Sequence, residues 1–294
     1  MYHLNTLDTA VHQETEEKLT ALRHLLRGLG RVIIAYSGGV DSAFLLKVAR
    51  EELGDQAVAI IGLSPSLMPE EYEDARRLAE RLGVPLRTVQ THEMDDPNYS
   101  SNPTNRCYFC KTELFGVLTR IAHDEGFDAV CDGTNLDDLN EWRPGAQAAS
   151  ERAVRSPLRE VGLTKAEIRA LSKALNLPTW DKPAMPCLSS RIPYGTPVTA
   201  EALRMIGQAE AWLRSHGLRQ VRVRHYVEND RPTARIEVDP AEMSLLFELR
   251  EEAVAELRRL GYTAVLLDLE GYRRGKLNDS ITSPSVQPIQ LHLK

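Results

Sequence analysis

The chain has 294 residues, 42% of them hydrophobic and 27% charged, which supplies a core without disulfide staples. Basic side chains number 36 and acidic ones 42, a formal net charge of −6, which argues against a protein built to neutralise nucleic-acid phosphates. No apolar run is long enough to span a bilayer, and the polar, acidic start MYHLNTLDTAVHQETEEK does not read as a signal peptide. A cytoplasmic protein without membrane or nucleic-acid partners is expected.

Residues 14–28 carry leucines at helical spacing up to a glycine and predict a first helix. A short β-branched run follows from Val32 to Ala35, then SGGVDS, then an amphipathic helix that stops at Gly54. AVAIIGL (57–63) reads as a buried strand, EEYEDARRLAERLG (70–83) as a helix and PLRTVQT (85–91) as a third strand. FDAVCDGTN (127–135) adds a strand that runs into a polar turn, and LTKAEIRALSKALN (163–176) a helix. Thr164 is the expected N-cap of that helix and Glu167 completes a capping box. Continuous apolar runs alternating with helices predict an α/β, Rossmann-like domain with a parallel sheet covered on both faces.

After about Pro193 the pattern changes. Residues 199–217 and 240–261 are helical, and QVRVRHY (220–226), TARIEV (233–238) and TAVLLDL (263–269) are strands. The alternation in QVRVRHY predicts one solvated face. A smaller C-terminal α+β domain is expected, with divisions at 1–193 and 194–278 and a flexible tail at 279–294.

The strongest chemical signal is Ser37-Gly38-Gly39-Val40-Asp41-Ser42 between the first strand and its helix. Ligands bind at such strand ends. Two glycines let the backbone approach an anion, helix N–H groups point at it, and Ser37 and Ser42 add hydroxyls. Asp41 is placed to hold Mg²⁺ against phosphate oxygens. The loop is neither a Walker A loop nor GxGxxG. SGGxDS here resembles the PP-loop of the adenine-nucleotide α-hydrolase (HUP-type) group. That resemblance implies an ATP pyrophosphatase that leaves AMP on its substrate and releases pyrophosphate. Asp132-Gly133-Thr134-Asn135 ends another strand, and the same group uses a GT loop there to hold the nucleotide. Asp137, Asp138 and Glu141 follow, either as metal or substrate ligands or as a solvated acidic helix start.

Cys107 and Cys110 form a CxxC, which can be zinc, a dithiol or part of an iron–sulfur site. Cys187, between rigidifying prolines and Arg191, supplies a third thiol, and Arg191 would favour its thiolate. Three cysteines suit a 4Fe–4S cluster with one iron open to an extra sulfide. Cys131 reads as a buried small residue.

SGGVDSAFLLKVA, DGTNLDDLNEWRPG and WDKPAMPCLSSRIPYGTPVT together resemble the LarE family of nickel-pincer cofactor biosynthesis. The likeness is strong over the first domain and linker and weaker beyond. It implies that ATP adenylates a pyridinium carboxylate on a mononucleotide and that sulfur then replaces AMP. Some members sacrifice the sulfur of the cysteine at position 187; others, with the CxxC, resemble cluster carriers, and Cys107 and Cys110 favour the second kind. The resemblance also places Ala35 and Arg191 with Ser37, Gly38, Gly39, Asp41, Ser42, Gly133 and Thr134 around ATP, makes Cys187, Asp41 and Ser37 catalytic, and implies a homo-oligomer, dimer or hexamer.

In the second domain Arg222 and Arg224 share one strand face, where paired guanidiniums suit a phosphate. The family's substrate and metal site lies in this region. Glu210 and Glu237 are further candidates, equally readable as ordinary surface residues. A tRNA thiolation enzyme, an amide-forming NAD or GMP synthetase and a non-catalytic nucleotide sensor are the rival readings. The first wants a basic face, the second has no need of three cysteines, and the third releases no pyrophosphate.

Overall fold

A computed structural model of the chain describes residues 3–140, 144–183, 185–273 and 275–276. Glu141 and the 279–294 tail lie outside these residues. The chain divides into two compact units, Met1–Cys187 and Leu188–Lys294.

The first unit runs α1 (His3–Leu29), β1 (Val32–Ala35), α2 (Val40–Leu53), β2 (Ala57–Leu63), α3 (Pro69–Arg81) and β3 (Leu86–Gln90). It continues through α4 (Pro97–Ser100), α5 (Arg106–Glu125), β4 (Ala129–Cys131), α6 (Pro144–Glu151), α7 (Pro157–Glu160) and α8 (Lys165–Ala174). The four strands form a parallel sheet in the order β3-β2-β1-β4, the α/β Rossmann-like arrangement the sequence predicts.

The strand sequences explain the layering. Val32 and Ile34 pack with α1, α2 and α8 on one face, while Ile33, Val58 and Ile60 pack with α5 and α6 on the other. Both sides of each pleat are therefore apolar, and burial of each such side chain contributes about 1.5–3 kcal/mol. The chain winds outward from β1 through β2 to β3, then crosses back to place β4 on β1's other edge. That reversal opens a crevice at the strand ends where ligands bind.

α8 begins as its sequence requires. The Thr164 hydroxyl accepts from the Glu167 N–H at 3.3 Å, and the Glu167 carboxylate accepts from the Thr164 N–H at 2.8 Å.

The second unit holds α9 (Ala200–Ser215), β5 (Val221–Glu228), β6 (Arg231–Val238), α10 (Met243–Glu248), α11 (Arg250–Arg259) and β7 (Ala264–Leu267). Its sheet has the order β5-β6-β7, antiparallel then parallel. Val221, Val223, Ile236 and Val238 form a core with α9 and α11.

One expectation is corrected here. The face of β5 that carries Arg222 and Arg224 is buried, not solvated. The turn at Leu188–Arg191 covers it: Arg224 donates to the Ser190 carbonyl at 2.9 Å, and Arg222 lies over the Tyr272 ring. Carboxylates make that burial tolerable. Glu237 accepts two bonds from Arg224 at 3.0 and 2.8 Å, and Glu210 accepts two from Arg191, each at 2.8 Å. Glu210 also meets Arg214 at 2.5 Å.

Burial alone would raise the Glu210 pKa; Arg191, Arg214 and Arg222 together pull it below the ordinary carboxylate range. A lowered folded value means stability that is present above the unfolded pKa of about 4.3 and lost as pH falls through the folded one. Glu210→Gln strands buried guanidiniums and should cost about 3–5 kcal/mol at neutral pH. Urea unfolding of the full chain should show that difference shrinking as the solution is acidified below the carboxylate range. A pH-independent difference would remove the charge from the explanation.

Candidate active site

The SGGVDS loop joins β1 to α2. Gly38 has φ +73°, and a Cβ there would lie 2.7 Å from the Ala75 Cβ, so this position takes glycine on two counts. Gly39 is the N-cap of α2 and the helix has no side-chain cap, leaving its first turn of N–H groups for a ligand. The two serine hydroxyls lie 3.1 Å apart, and Ser42 Oγ also accepts from the Ser37 N–H at 3.2 Å. Ala35 is the half-buried last residue of β1.

The loop after β4 closes against this turn. An ideal Cβ on Gly133 would lie 2.9 Å from the Ser42 nitrogen and 3.1 Å from its Cα, so only glycine permits the approach. Asp132 fixes the loop's shape. Its carboxylate accepts from the Thr134 N–H at 3.2 Å, the Thr134 hydroxyl at 2.7 Å and the Ser156 hydroxyl at 2.8 Å.

The following acidic residues build the loop. Asp138 accepts from the Asn135 N–H at 3.0 Å, and Asp137 accepts from the Lys165 N–H at 2.8 Å, at the first turn of α8. Asp137 begins a short 3₁₀ turn, Asp137–Asn140.

Lys165 itself was not singled out from the sequence, yet its ammonium donates to Asp41 Oδ2. The capping box that starts α8 carries this lysine to the loop. The sequence shows the cap; it does not show which residue the first helical side chain will face. The other oxygen of Asp41 is buried without a hydrogen-bond partner among the described residues. A bare buried carboxylate oxygen is costly unless a cation reaches it. The site therefore fits Mg²⁺, which prefers carboxylate and phosphate oxygens.

Beside the loop lies a cavity of about 340 Å³. Tyr36 and Ser37 line it from the end of β1, Cys107 and Cys110 from the first turns of α5, and Cys187 from the end of the unit. Cys107 and Cys110, three apart on a helix, share a face. All four cysteines are thiols, and Cys131 is buried in β4 away from the other three. Cys107 is exposed as a residue, but its thiol lines the cavity, where burial, then the neighbouring Cys187, pushes it up against the pull of Arg106 and Lys111. Burial, followed by the charge of Glu93, pushes Cys110 up to about 12. Among the described residues no three His, Cys, Asp or Glu side chains are placed to chelate a single ion. A multi-iron cluster spaces its thiolates more widely than one ion does, and three thiols around one cavity are the donor set it requires.

Arg191, Glu210, Arg222, Arg224 and Glu237 lie in the second unit and form the buried charge cluster described above. Five guanidiniums, with Arg214 and Arg235, surround the two glutamates. Burial first, then Arg191, lowers Arg222 to about 10. The thiolate-stabilising role expected of Arg191 has a competitor, since its guanidinium is wholly buried against Glu210.

A family profile described as NAD synthase matches residues 16–105, ending just before Cys107. A pyridinium-3,5-bisthiocarboxylic acid mononucleotide synthase of Lactiplantibacillus plantarum is 37% identical over 90% of this chain and 95% of its own. The chain belongs to the LarE family of ATP-dependent PP-loop sulfurtransferases. An uncharacterized protein of Synechocystis sp. is 50% identical over 91% of this chain and 99% of its own. A tRNA-specific 2-thiouridylase of Thermus thermophilus is 30% identical over 52% of either chain. Likeness to LarE thus runs through both units, whereas likeness to the tRNA enzyme covers about half.

Gly133→Ala should separate the two loops, because the added carbon meets backbone that cannot rotate away. Pyrophosphate release from ATP should fall about a hundredfold with the circular dichroism unchanged. Unaltered turnover would show that the loops do not act together.

Proposed function

We propose that this chain uses ATP to adenylate the carboxylates of pyridinium-3,5-biscarboxylic acid mononucleotide and replaces AMP with sulfur, in nickel-pincer cofactor biosynthesis. One observation carries the reading: Ser37 of the phosphate loop and Cys107, Cys110 and Cys187 line the same cavity. Nucleotide chemistry and sulfur chemistry are therefore adjacent.

The substrate carboxylate attacks the α-phosphorus of ATP, the bond to the β-phosphate breaks, and pyrophosphate leaves. Ser37, Ser42 and the first turn of α2 bind phosphate oxygens. Asp41 holds Mg²⁺ through the oxygen that lacks a partner, while Lys165 holds the other. The Lys165 ammonium opposes the charge that builds on the leaving pyrophosphate, and Mg²⁺, when bound, would add a second positive charge there. Sulfide then attacks the acyl carbon and AMP leaves, giving a thiocarboxylate.

Cys107, Cys110 and Cys187 would hold a 4Fe–4S cluster. When bound, such a cluster supplies an iron without a cysteine ligand, to which an extra sulfide can attach. Arg222 and Arg224 would take the substrate's phosphate, since guanidiniums outnumber carboxylates around them. Among the described residues no helix is long and apolar enough to cross a membrane. A cytoplasmic setting would keep the thiols reduced.

Anaerobic reconstitution with iron and sulfide should give a brown protein, and Cys107→Ala, Cys110→Ala or Cys187→Ala should each lose the iron. Colourless wild-type protein, or dehydroalanine at position 187 after turnover, would replace the cluster with cysteine sacrifice.

Asp41→Asn should slow pyrophosphate release by about 3 kcal/mol of barrier, roughly a hundredfold, with the pyridinium substrate present. Wild-type protein that binds ATP and releases no pyrophosphate with that substrate would leave a nucleotide-binding protein only.

A further inference from the structure

The cavity wall holds one charged group that the proposed chemistry does not use. Glu93 starts the 3₁₀ turn Glu93–Asp95 just beyond β3. The motif around it, THEMDDPNYS, reads as a polar surface loop, yet Glu93 is only 2% exposed. Neither carboxylate oxygen has a hydrogen-bond partner among the described residues. Glu93 lines the same cavity as the three thiols.

A buried carboxylate is ordinarily paired, hydrogen-bonded or bound to a cation. Arg106 and Lys111 line the cavity with it. Arg106 donates to Asn102, and Lys111 lies over the Phe115 ring. The groups that share its cavity are the thiols of Cys107, Cys110 and Cys187. A loose carboxylate beside three thiolates would only add like charge. Bound to a metal, it becomes an oxygen donor to a centre that three cysteines leave incomplete.

We propose that Glu93 is the fourth protein ligand of the metal centre held by Cys107, Cys110 and Cys187, its carboxylate occupying the position that no cysteine fills. This rests on the three-cysteine reading above. Iron in a sulfur-rich site holds a hard carboxylate oxygen more loosely than a thiolate, so the position stays exchangeable. Glu93 would then release that position to hydrosulfide, an exchange of one anionic ligand for another that needs no oxidant or reductant.

The test uses the full chain, reconstituted anaerobically with isotopically enriched ferrous iron and sulfide, as wild type, Glu93→Gln and Glu93→Asp. Wild type should show one iron site with oxygen-type ligation in its Mössbauer spectrum. Both variants should lose that signature, and a chelator should remove their iron about tenfold faster or more. The iron-free Glu93→Gln protein should melt no lower than iron-free wild type, because it loses an uncompensated charge. Unchanged Mössbauer sites and unchanged iron release in both variants would overturn the proposal. So would iron-free variants that fail to fold, which would make Glu93 a structural group. Wild type that takes up no iron, and so matches Cys107→Ala, would overturn the three-cysteine reading and this proposal with it. Iron uptake with spectra that ignore Glu93 would overturn this proposal alone.

Discussion

The site depends on two stretches of backbone that approach more closely than any side chain allows. Gly133, after β4, presses against the nitrogen and Cα of Ser42, in the first turn of α2. Parallel strands β1 and β4 are neighbours, so their outgoing loops begin side by side. Contact between them turns two glycine-containing turns into one rigid cradle. Asp132 then locks the second loop from beneath through three hydrogen bonds. Asp137 and the capping box hold the start of α8, which brings Lys165 to Asp41. A short chain of local contacts thus converts sheet topology into a fixed arrangement of N–H groups, hydroxyls, one ammonium and one half-satisfied carboxylate. Rigid placement of this kind lets a site stabilise developing charge without reorganising.

The second unit solves a different problem. Burying arginines on a strand face is affordable only when carboxylates meet them, and Glu210 and Glu237 do so from α9 and β6. The neutralisation is incomplete, because guanidiniums outnumber the acids around them. Arg222, lowered by burial and by Arg191, is where the excess of positive charge is felt most. A bound phosphate would relieve that repulsion. The same residues therefore stabilise the fold through their pairs, and the pairs leave an excess of positive charge.

These two cases mark what was legible in the sequence. The parallel sheet was legible because its two central strands, β1 and β2, are apolar on both faces and separated by an amphipathic helix. AVAIIGL coincides with β2, and the Thr164–Glu167 cap is where its residue types require. The phosphate loop was legible because a backbone-determined motif keeps its residue types together. Side-chain partners from remote elements were not. Alternation in QVRVRHY reads as polar-out, and only tertiary contact with Glu210, Glu237 and the 188–191 turn reverses it. Lys165 and Glu93 carry no local signal, since one looks like a helix-surface lysine and the other like a loop acid.

The state of the thiols bears on why three of them are present. Burial holds Cys110 as a neutral thiol at ordinary pH, and Cys107 is pushed the same way. A neutral buried thiol is a poor nucleophile and a poor sulfur donor in its own right. A metal changes that, because coordination displaces the thiol proton outright. A metal bound to these thiols would supply the positive charge that their surroundings lack. Cys107 and Cys110, pushed toward the protonated form beside a loop shaped for phosphate, are therefore weak nucleophiles in their own right, and a part for them in sulfur transfer needs a partner that lowers their pKa.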